Sequence, residues 1–570
     1  MRYIPPVDEH IFVLRNVVGL GEPSCFGSFA ELEEEHVAEI LAGAGKLAEK
    51  ILHPLQRAGD MHPARLSNGD VLTSPGFAGG YRAIAEGGWV GIAASPEFGG
   101  AGLPALLANA VNEMLNGACM SLGLNPLLSQ SQIRALEAHA SDEIKKIYLP
   151  RLISGEWFGT MNITEPEAGS DVGNLKSIAE PDVDGSFKLT GRKIFISWAD
   201  ADFAENVCHL VLARLPSAPA GTKGLSLFVV PKFIPDEDGK PGRRNSVRIT
   251  SLEDKLGIHG SPTAVVEHDR AKGWMIGGAN GGMRAMFTMM NFARLGVGCQ
   301  GVGVAEAATQ LAASFAKDRR QGKPSRTDGT DSISGHANVR RTLALMVSQV
   351  QAARAICASC ARAIDLAGST GEEGWSRRAA LLTPVAKVFG SETGIEVALK
   401  GIAVHGGMGY VEGTGAAQFL RDALVATIYE GTNGVQAIDL VTRKLDGGEP
   451  IRLLDEIEAE LDLAEGRAGG FVGTARQALE KVRGATEWMT EQTDVNERIA
   501  GSEPYLRALA LLLGAVFHIR AHLAVGGTGR RAHLAEVFVG RLLPACSWHC
   551  REATLGSDDL FGISDHEFVS

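Results

Sequence analysis

Cysteine is scarce in this chain: eight occur among 570 residues, scattered at positions 25, 119, 208, 299, 357, 360, 546 and 550. Such scatter excludes a disulfide-stapled scaffold and makes a reducing compartment, the cytoplasm, the expected location. Aromatic residues make up only 6%, and positive charge is in deficit, with Lys+Arg 55 against Asp+Glu 67 leaving a formal net charge of −12. That balance argues against nucleic acid or an anionic membrane as a partner, so an anionic ligand has to meet a local positive site. The opening MRYIPPVDEH has acids where a secretion signal carries a basic stretch and an apolar core. Long apolar runs are missing as well. The most apolar late stretch, Leu506 to Ile519, is interrupted by Arg507 and His518, and it reads as a core helix too short for a bilayer. No G-x-x-x-x-G-K-[ST] occurs, which excludes a Walker-type nucleotidase.

Glycine, by contrast, is abundant at 70 residues of 570, against a usual share of about 7%. That excess calls for backbones packed closely against each other or against a ligand. Hydrophobic residues at 45% and charged residues at 21% are ordinary globular values, and the length suggests roughly four domains. Residues 1–157 read as mainly helical, with a capping box at Ser28 and Glu31 followed by helically spaced Val37, Ile40, Leu41, Leu47 and Ile51. Residues 158–280 hold short β-rich runs without helices of crossover length between them, which predicts an antiparallel barrel or sandwich. Residues 281–449 return to long helices, over 283–319, 333–368, 376–403 and 434–445, as in a bundle. Residues 450–570 form a further helical extension behind a charged Gly/Pro linker. The predicted class is α+β: a helical N-terminal domain, a central antiparallel β domain, and a C-terminal helical bundle with an extension.

Gly296-Val-Gly298-Cys-Gln-Gly301 fits the G-x-G-x-x-G dinucleotide fingerprint, but that fingerprint needs a strand before it and a helix opening at the glycines. Both flanks here read as helix, so the glycines are expected to let two helices approach closely. Cys357-x-x-Cys360 lies in a helical run, and Cys546 and Cys550 flank His549 without a second CxxC. No metal site is expected. Between two helical segments, six glycines fall within 401–415, including Gly406, Gly407 and Gly409, a composition that exposes backbone N–H groups to a phosphate or makes a connector. Ile428-Tyr-Glu430-Gly-Thr432-Asn433-Gly leads into a helix that Thr432 or Asn433 caps, which sets the Glu430 carboxylate just ahead of its positive end. A carboxylate there is either structural or a candidate base. The run Thr164-Glu-Pro-Glu-Ala-Gly-Ser170-Asp offers hydroxyls and turn backbone, suited to a planar polar ligand or to a hairpin corner.

Taken together, five ordered blocks resemble the acyl-CoA dehydrogenase family: TEPEAGSDV at 164–172, GRKIFIS at 191–197, ARLGVG at 293–298, HGGMGY at 405–410, and RDA at 421–423 with IYEGTNGVQ at 428–436. The opening segment and the added C-terminal helices are similar to the longer subfamily that contains 3-methylmercaptopropionyl-CoA dehydrogenases. The resemblance implies FAD-dependent α,β-oxidation of an acyl-CoA thioester, with electron-transfer flavoprotein as the acceptor and a homodimer or homotetramer as the assembly. It makes Glu430 the base. It assigns Thr164, Phe195, Ile196 and Ser197 to the flavin ring, with Thr432 close to FAD. Arg319, Gly406, Gly407 and Gly409 fall to the FAD pyrophosphate of a neighbouring subunit. Ser170, Asn291 and Arg294 fall to the substrate. A short or medium acyl group is expected, 3-methylmercaptopropionyl first, with fatty acyl-CoA of β-oxidation and a non-catalytic DNA-associated relative as the alternatives. Trp198 either narrows the acyl pocket or packs in the core, and Glu167 adds negative charge near the substrate entrance.

Overall fold

The computed structural model describes residues 3–19, 33–324 and 331–569. The chain opens with α1 (Val7–Phe12), α2 (Glu34–Leu47) and α3 (His53–Met61), then strands β1 (Arg65–Ser67) and β2 (Asp70–Leu72), then α4 (Phe77–Glu86), α5 (Ala105–His139) and α6 (Asp142–Ser154). The described residues up to 157 are therefore mainly helical and include the β1–β2 hairpin. Its turn is Asn68-Gly69, both left-handed at φ 52° and 88°, the combination a two-residue hairpin turn demands. In α2, Val37 and Leu41 are buried while Ile51 beyond it is 44% exposed. The capping box expected at Ser28 lies outside the described residues.

The central sheet contains β3 (Trp157–Asn162), β4 (Ile178–Pro181), β5 (Phe187–Ser197), β6 (Asn206–Arg214), β7 (Leu225–Pro231), β10 (Val247–Leu252) and β11 (Thr263–Ile276), while β8 (Phe233–Pro235) and β9 (Pro241–Arg244) pair separately. Because β7 bonds both β11 and β6, strands β11, β5, β4, β6 and β7 close into a barrel. The β domain is antiparallel throughout except beside β6, where β3 pairs in parallel over six residues and β4 through the single pair Ile178 and Arg214. Those parallel contacts need no crossover helix, because the β4–β5 hairpin already supplies the return between β3 and β6. Inward residues such as Val211, Phe228, Val230, Val266 and Ile196 form a small core of their own.

The bundle is α7 (Gly282–Asp318), α8 (Ala337–Thr370), α9 (Glu373–His405), α10 (Ala416–Leu424) and α11 (Asn433–Asp439). Helices α7 and α9 approach closely through the fingerprint-like glycines. A Cβ on Gly298 would stand 2.5 Å from the Ala386 carbonyl oxygen, and one on Gly301 would stand 2.2 Å from that of Gly390. On the α5 side, a Cβ on Gly296 would stand 2.2 Å from the Leu127 Cδ1 side-chain atom. All three lie inside α7, so they mark helix packing, as expected.

The extension is α12 (Glu449–Ala464), α13 (Phe471–Glu491), α14 (Val495–Ala500), α15 (Ser502–Ala524), α16 (Gly529–Val537), α17 (Ala545–Ala553) and α18 (Asp558–Phe561). Its apolar core is continuous with that of the bundle and the N-terminal helices. Among the described residues two helices, α8 and α15, are long and apolar enough to cross a membrane, yet 72% and 83% of their most apolar stretches is buried within the fold. The N-terminal segment is tied to the extension by Arg520, which bonds Glu460 and the Val17 carbonyl oxygen, and by Arg531, which pairs with Glu9.

Candidate functional site

Helix α11 begins at Thr432, whose hydroxyl accepts the Val435 N–H at 3.2 Å. That cap starts the helix just after the acid, with Glu430 two residues before the cap. Glu430 and Gly431 follow each other in the left-handed region, at φ 58° and 85°. Such a backbone costs a glutamate about 1–3 kcal/mol and persists only where its surroundings impose it. Arg294 of α7 helps to do so, its Nε donating to the Glu430 carbonyl oxygen at 3.3 Å and its Nη1 to Asn291 Oδ1 at 3.0 Å. Below the turn, the Asn433 side chain is buried and receives the Lys387 ammonium at 2.8 Å.

The Glu430 side chain is what this turn presents. Its Oε2 is enclosed and has no hydrogen-bond partner, and among the described residues no acceptor takes its backbone N–H. Burial pushes its carboxyl up to about 7, against the pull of Arg294 and Lys387. A buried carboxyl whose proton affinity is raised toward neutrality and that lacks a partner among the described residues is suited to exchange a proton with a ligand. The preceding Tyr429 donates to Gln300 Oε1, and Gln300 donates to Asn116 Oδ1 at 3.0 Å, which fixes the turn against α7 and α5.

A second group of residues lies on the barrel. The Ile194 N–H bonds the Thr164 carbonyl oxygen at 2.9 Å, and the Thr160 hydroxyl bonds the Ser197 carbonyl oxygen at 2.6 Å. Beneath them Lys193, fully buried, donates to Glu165 Oε1, Ile163 O and Leu212 O at 2.8–3.0 Å. The pair pins the Thr164 turn to the end of β5. Phe195 then stands out from the sheet, 60% exposed and left-handed at φ 59°. An exposed aromatic in a strained conformation, beside partly exposed Thr164 and Ser197, is a surface on which a planar ring can lie. Ile196 differs from expectation: it pairs with Ala264 and turns its side chain into the sheet core, so only its backbone is left for a ring. Trp198 is fully buried, stacks on Phe77, sits edge-on to Phe158 and donates to the Ser121 carbonyl oxygen at 3.2 Å. It packs in the core. Glu167 is exposed and paired with Lys176, which offsets its charge, and Ser170 is exposed on the same loop.

The third group is set apart. Arg319 ends α7 at the surface, and Phe315, one turn earlier, packs on His405 with ring centroids 4.4 Å apart. His405 precedes Gly406, which is left-handed at φ 59°, and both Gly406 and Gly407 are exposed with open space at their Cβ positions. Gly409 is different, since a Cβ there would meet the Ile402 carbonyl oxygen at 2.2 Å. It closes the loop. At 1.5 Å per residue, the stretch of α9 from Ser391, which touches Asn433, to His405 spans about 20 Å. Arg319 and the glycine loop are thus brought together with each other but not with Glu430.

Sequence reasoning missed two contributors. Lys387 is buried between α9 and α11, and its signal was a lone lysine within the apolar run TPVAKVFGSETG. Gln436, both of whose amide atoms are enclosed without partners among the described residues, gave no signal beyond its place six residues after the base. The Arg421-Asp422 pair proves structural. Arg421 grips Asp60 with two bonds of 2.8 Å, and Asp422 accepts the Ile258 N–H at 2.6 Å. Among the described residues no group of three or more His, Cys, Asp or Glu side chains is placed to hold a metal.

Comparison with known proteins gives a consistent result. The sequence profiles of the acyl-CoA dehydrogenase N-terminal, middle and C-terminal domains match residues 62–156, 160–271 and 280–445. The chain is 38% identical to 3-methylmercaptopropionyl-CoA dehydrogenase of Ruegeria pomeroyi, over 99% of this chain and 100% of that protein. It is 31% identical to the broad-specificity linear acyl-CoA dehydrogenase FadE5 of Mycobacterium tuberculosis, over 89% and 84%. Among solved structures, Caenorhabditis elegans ACDH-11 in complex with C11-CoA superposes with a TM-score of 0.81 at 19% identity, covering 100% of this chain and 96% of that one.

Proposed function

This chain belongs to the acyl-CoA dehydrogenase family, whose members are FAD-dependent oxidoreductases acting on acyl-CoA, and from that premise we propose that it converts 3-methylmercaptopropionyl-CoA to its 2-enoyl-CoA with Glu430 as the base. One observation carries the assignment of the base: among the described residues, the enclosed Glu430 Oε2 has no partner and the N–H of its turn is free. Glu430 removes the α-proton, the C–H electron pair becomes the new α,β double bond, and the β-hydrogen leaves with its electrons. FAD, when bound, accepts that hydride.

The thioester α-proton becomes removable only as negative charge on the carbonyl oxygen is stabilised. The Glu430 N–H, unengaged among the described residues, is the donor suited to that task. Arg294 holds the Glu430 carbonyl and so fixes the direction of that N–H, while Asn291 holds Arg294. On the barrel side, Thr164 and Ser197 offer hydroxyls and Phe195 a ring face to an isoalloxazine. The barrel residues fit FAD, and so do Gly406, Gly407 and Arg319: exposed backbone N–H groups and a cation suit a pyrophosphate. Since those three lie about 20 Å along α9 from the base turn, we assign them to the FAD of a neighbouring copy. The assembly is then a homodimer or homotetramer, working in the cytoplasm with electron-transfer flavoprotein as acceptor. The choice of acyl group is supported by identity to the Ruegeria protein that extends through the C-terminal extension. An acyl-CoA panel assayed with an artificial electron acceptor tests it. 3-Methylmercaptopropionyl-CoA is expected to give the highest kcat/KM, and a tenfold preference for butyryl- or octanoyl-CoA refutes the choice.

A further inference from the structure

A fully buried ammonium normally faces a carboxylate at contact distance, because leaving it unpaired in an apolar interior is costly. Lys387 of α9 does not: it is fully buried, its Nζ donates to the neutral Asn433 Oδ1 at 2.8 Å, and among the described residues no carboxylate lies within 4.0 Å of it. Asn433 follows Glu430 by three residues in the chain, and Lys387 is, with Arg294, one of the two cations that pull on the Glu430 carboxyl. We propose that Lys387 is the positioning residue that governs the proton affinity of Glu430, and that the C-terminal extension holds it in place through Arg507. The proposal rests on the reading of Glu430 as the base.

The connection is continuous. Asn433 Nδ2 donates to Ser391 Oγ at 3.2 Å and reaches Glu392 Oε1 at 3.5 Å. Glu392 is gripped by Arg507 of α15 through Nε at 3.1 Å and Nη2 at 3.0 Å. An extension helix therefore neutralises the one carboxylate that reaches the Asn433 amide, and it orients that amide so that its oxygen faces Lys387. Burial pushes the Lys387 ammonium down to about 7, while Glu430 opposes the shift. The other charged groups around the turn are Arg294 on α7, Asp439 and Arg443 at the end of α11, Glu396 on α9 and Glu503 on α15. Arg294 is committed to the Glu430 carbonyl oxygen and to Asn291, which leaves Lys387 as the cation whose removal changes the field at the carboxylate without releasing the turn.

The sign follows. A nearby cation favours the charged form of a carboxylate, by about one pKa unit or more at close range. Without it, Glu430 stays protonated to higher pH, and the acidic limb of kcat/KM, which reports the free enzyme's base, moves upward. The test uses the full FAD-loaded chain and its best acyl-CoA. Lys387→Met is expected to move that limb up by about one pH unit, whereas Lys387→Arg, which keeps the charge, is expected to leave it within about 0.3 unit. Arg507→Met, at a partly exposed site that spares folding, is expected to shift it in the same direction by a smaller amount, because Glu392 is then left unneutralised. Infrared titration of the buried carboxylic acid C=O band, assigned by its loss in Glu430→Gln, reports the same shift without turnover. A limb and band unmoved in Lys387→Met, or moved equally in Lys387→Met and Lys387→Arg, overturns the proposal. If Lys387→Met does not fold, an unmoved limb in Arg507→Met overturns it. Turnover retained by Glu430→Gln is a separate result, which removes the base assignment itself.

Discussion

Replacing Gly301 with alanine puts a Cβ 2.2 Å from the Gly390 carbonyl oxygen, 2.6 Å from its carbon and 2.7 Å from the Ser391 Cα, all backbone atoms. Ordinary contact begins near 3.4 Å, so α7 and α9 have to separate by about 1 Å along their closest line. Overpacking of this kind costs about 1–3 kcal/mol and more where backbone must move. The better helix propensity of alanine returns about 1 kcal/mol. A net loss of up to about 2 kcal/mol is expected in urea unfolding. Gly473 supplies the control, since it lies in α13 with nothing within 4 Å of its Cβ position. Gly473→Ala is therefore expected to gain about 0.5–1 kcal/mol from propensity and reduced unfolded-state entropy. If Gly301→Ala proves as stable as Gly473→Ala, the reading of residues 296–301 as a helix-packing seam is wrong. The same shift displaces Ser391 and Lys387, so a loss of activity is expected to accompany the loss of stability.

Breaking the buried pair under the Thr164 turn by Lys193→Met leaves Glu165 uncompensated and is expected to cost about 3–5 kcal/mol. Thermal or urea unfolding checks this, and Glu165→Gln combined with Lys193→Met should cost less than the sum of the two single changes. Acid should weaken the fold through its buried neutral histidines, because burial holds His518 down at about 4 and His209 at about 3, below an ordinary value near 6.5. Their contribution is complete above about pH 6.5 and is lost as pH falls toward those values, by up to about 1.4 kcal/mol per pH unit for each histidine. His518→Gln, which keeps a donor for the Ser348 carbonyl oxygen now bonded at 2.9 Å, should flatten the fall in urea midpoint between pH 7 and 5. An unchanged slope counts against it.

The parts of the fold legible in the sequence were those set by local periodicity and punctuation. The long bundle helices, the β-rich centre and the cap at Thr432 follow from residue spacing and short-range hydrogen bonding. The glycines at 296–301 could be rejected as a phosphate turn because both flanks read as helix. The rest depends on partners remote in sequence. Trp198 was open between pocket and core until Phe77, Phe158 and Ser121 closed around it. The parallel pairing of β3 with β6 brings together residues about 50 positions apart, and no local pattern encodes it. The hairpin at 65–72 did carry a local signal, Asn68-Gly69, which a surrounding helical pattern obscured. At the site, Glu430 was legible because its motif is contiguous. Lys387 was not, because a lysine in an apolar helix looks the same in sequence whether it faces solvent or a buried amide such as Asn433.

The most direct test of the account is Glu430→Gln, purified with its flavin and assayed against the best acyl-CoA beside the unaltered protein. Retained yellow colour with turnover reduced by about 10²-fold or more is the predicted result, since the amide keeps the shape of the turn but cannot take up the α-proton. A variant that binds FAD and turns over at the unaltered rate contradicts it.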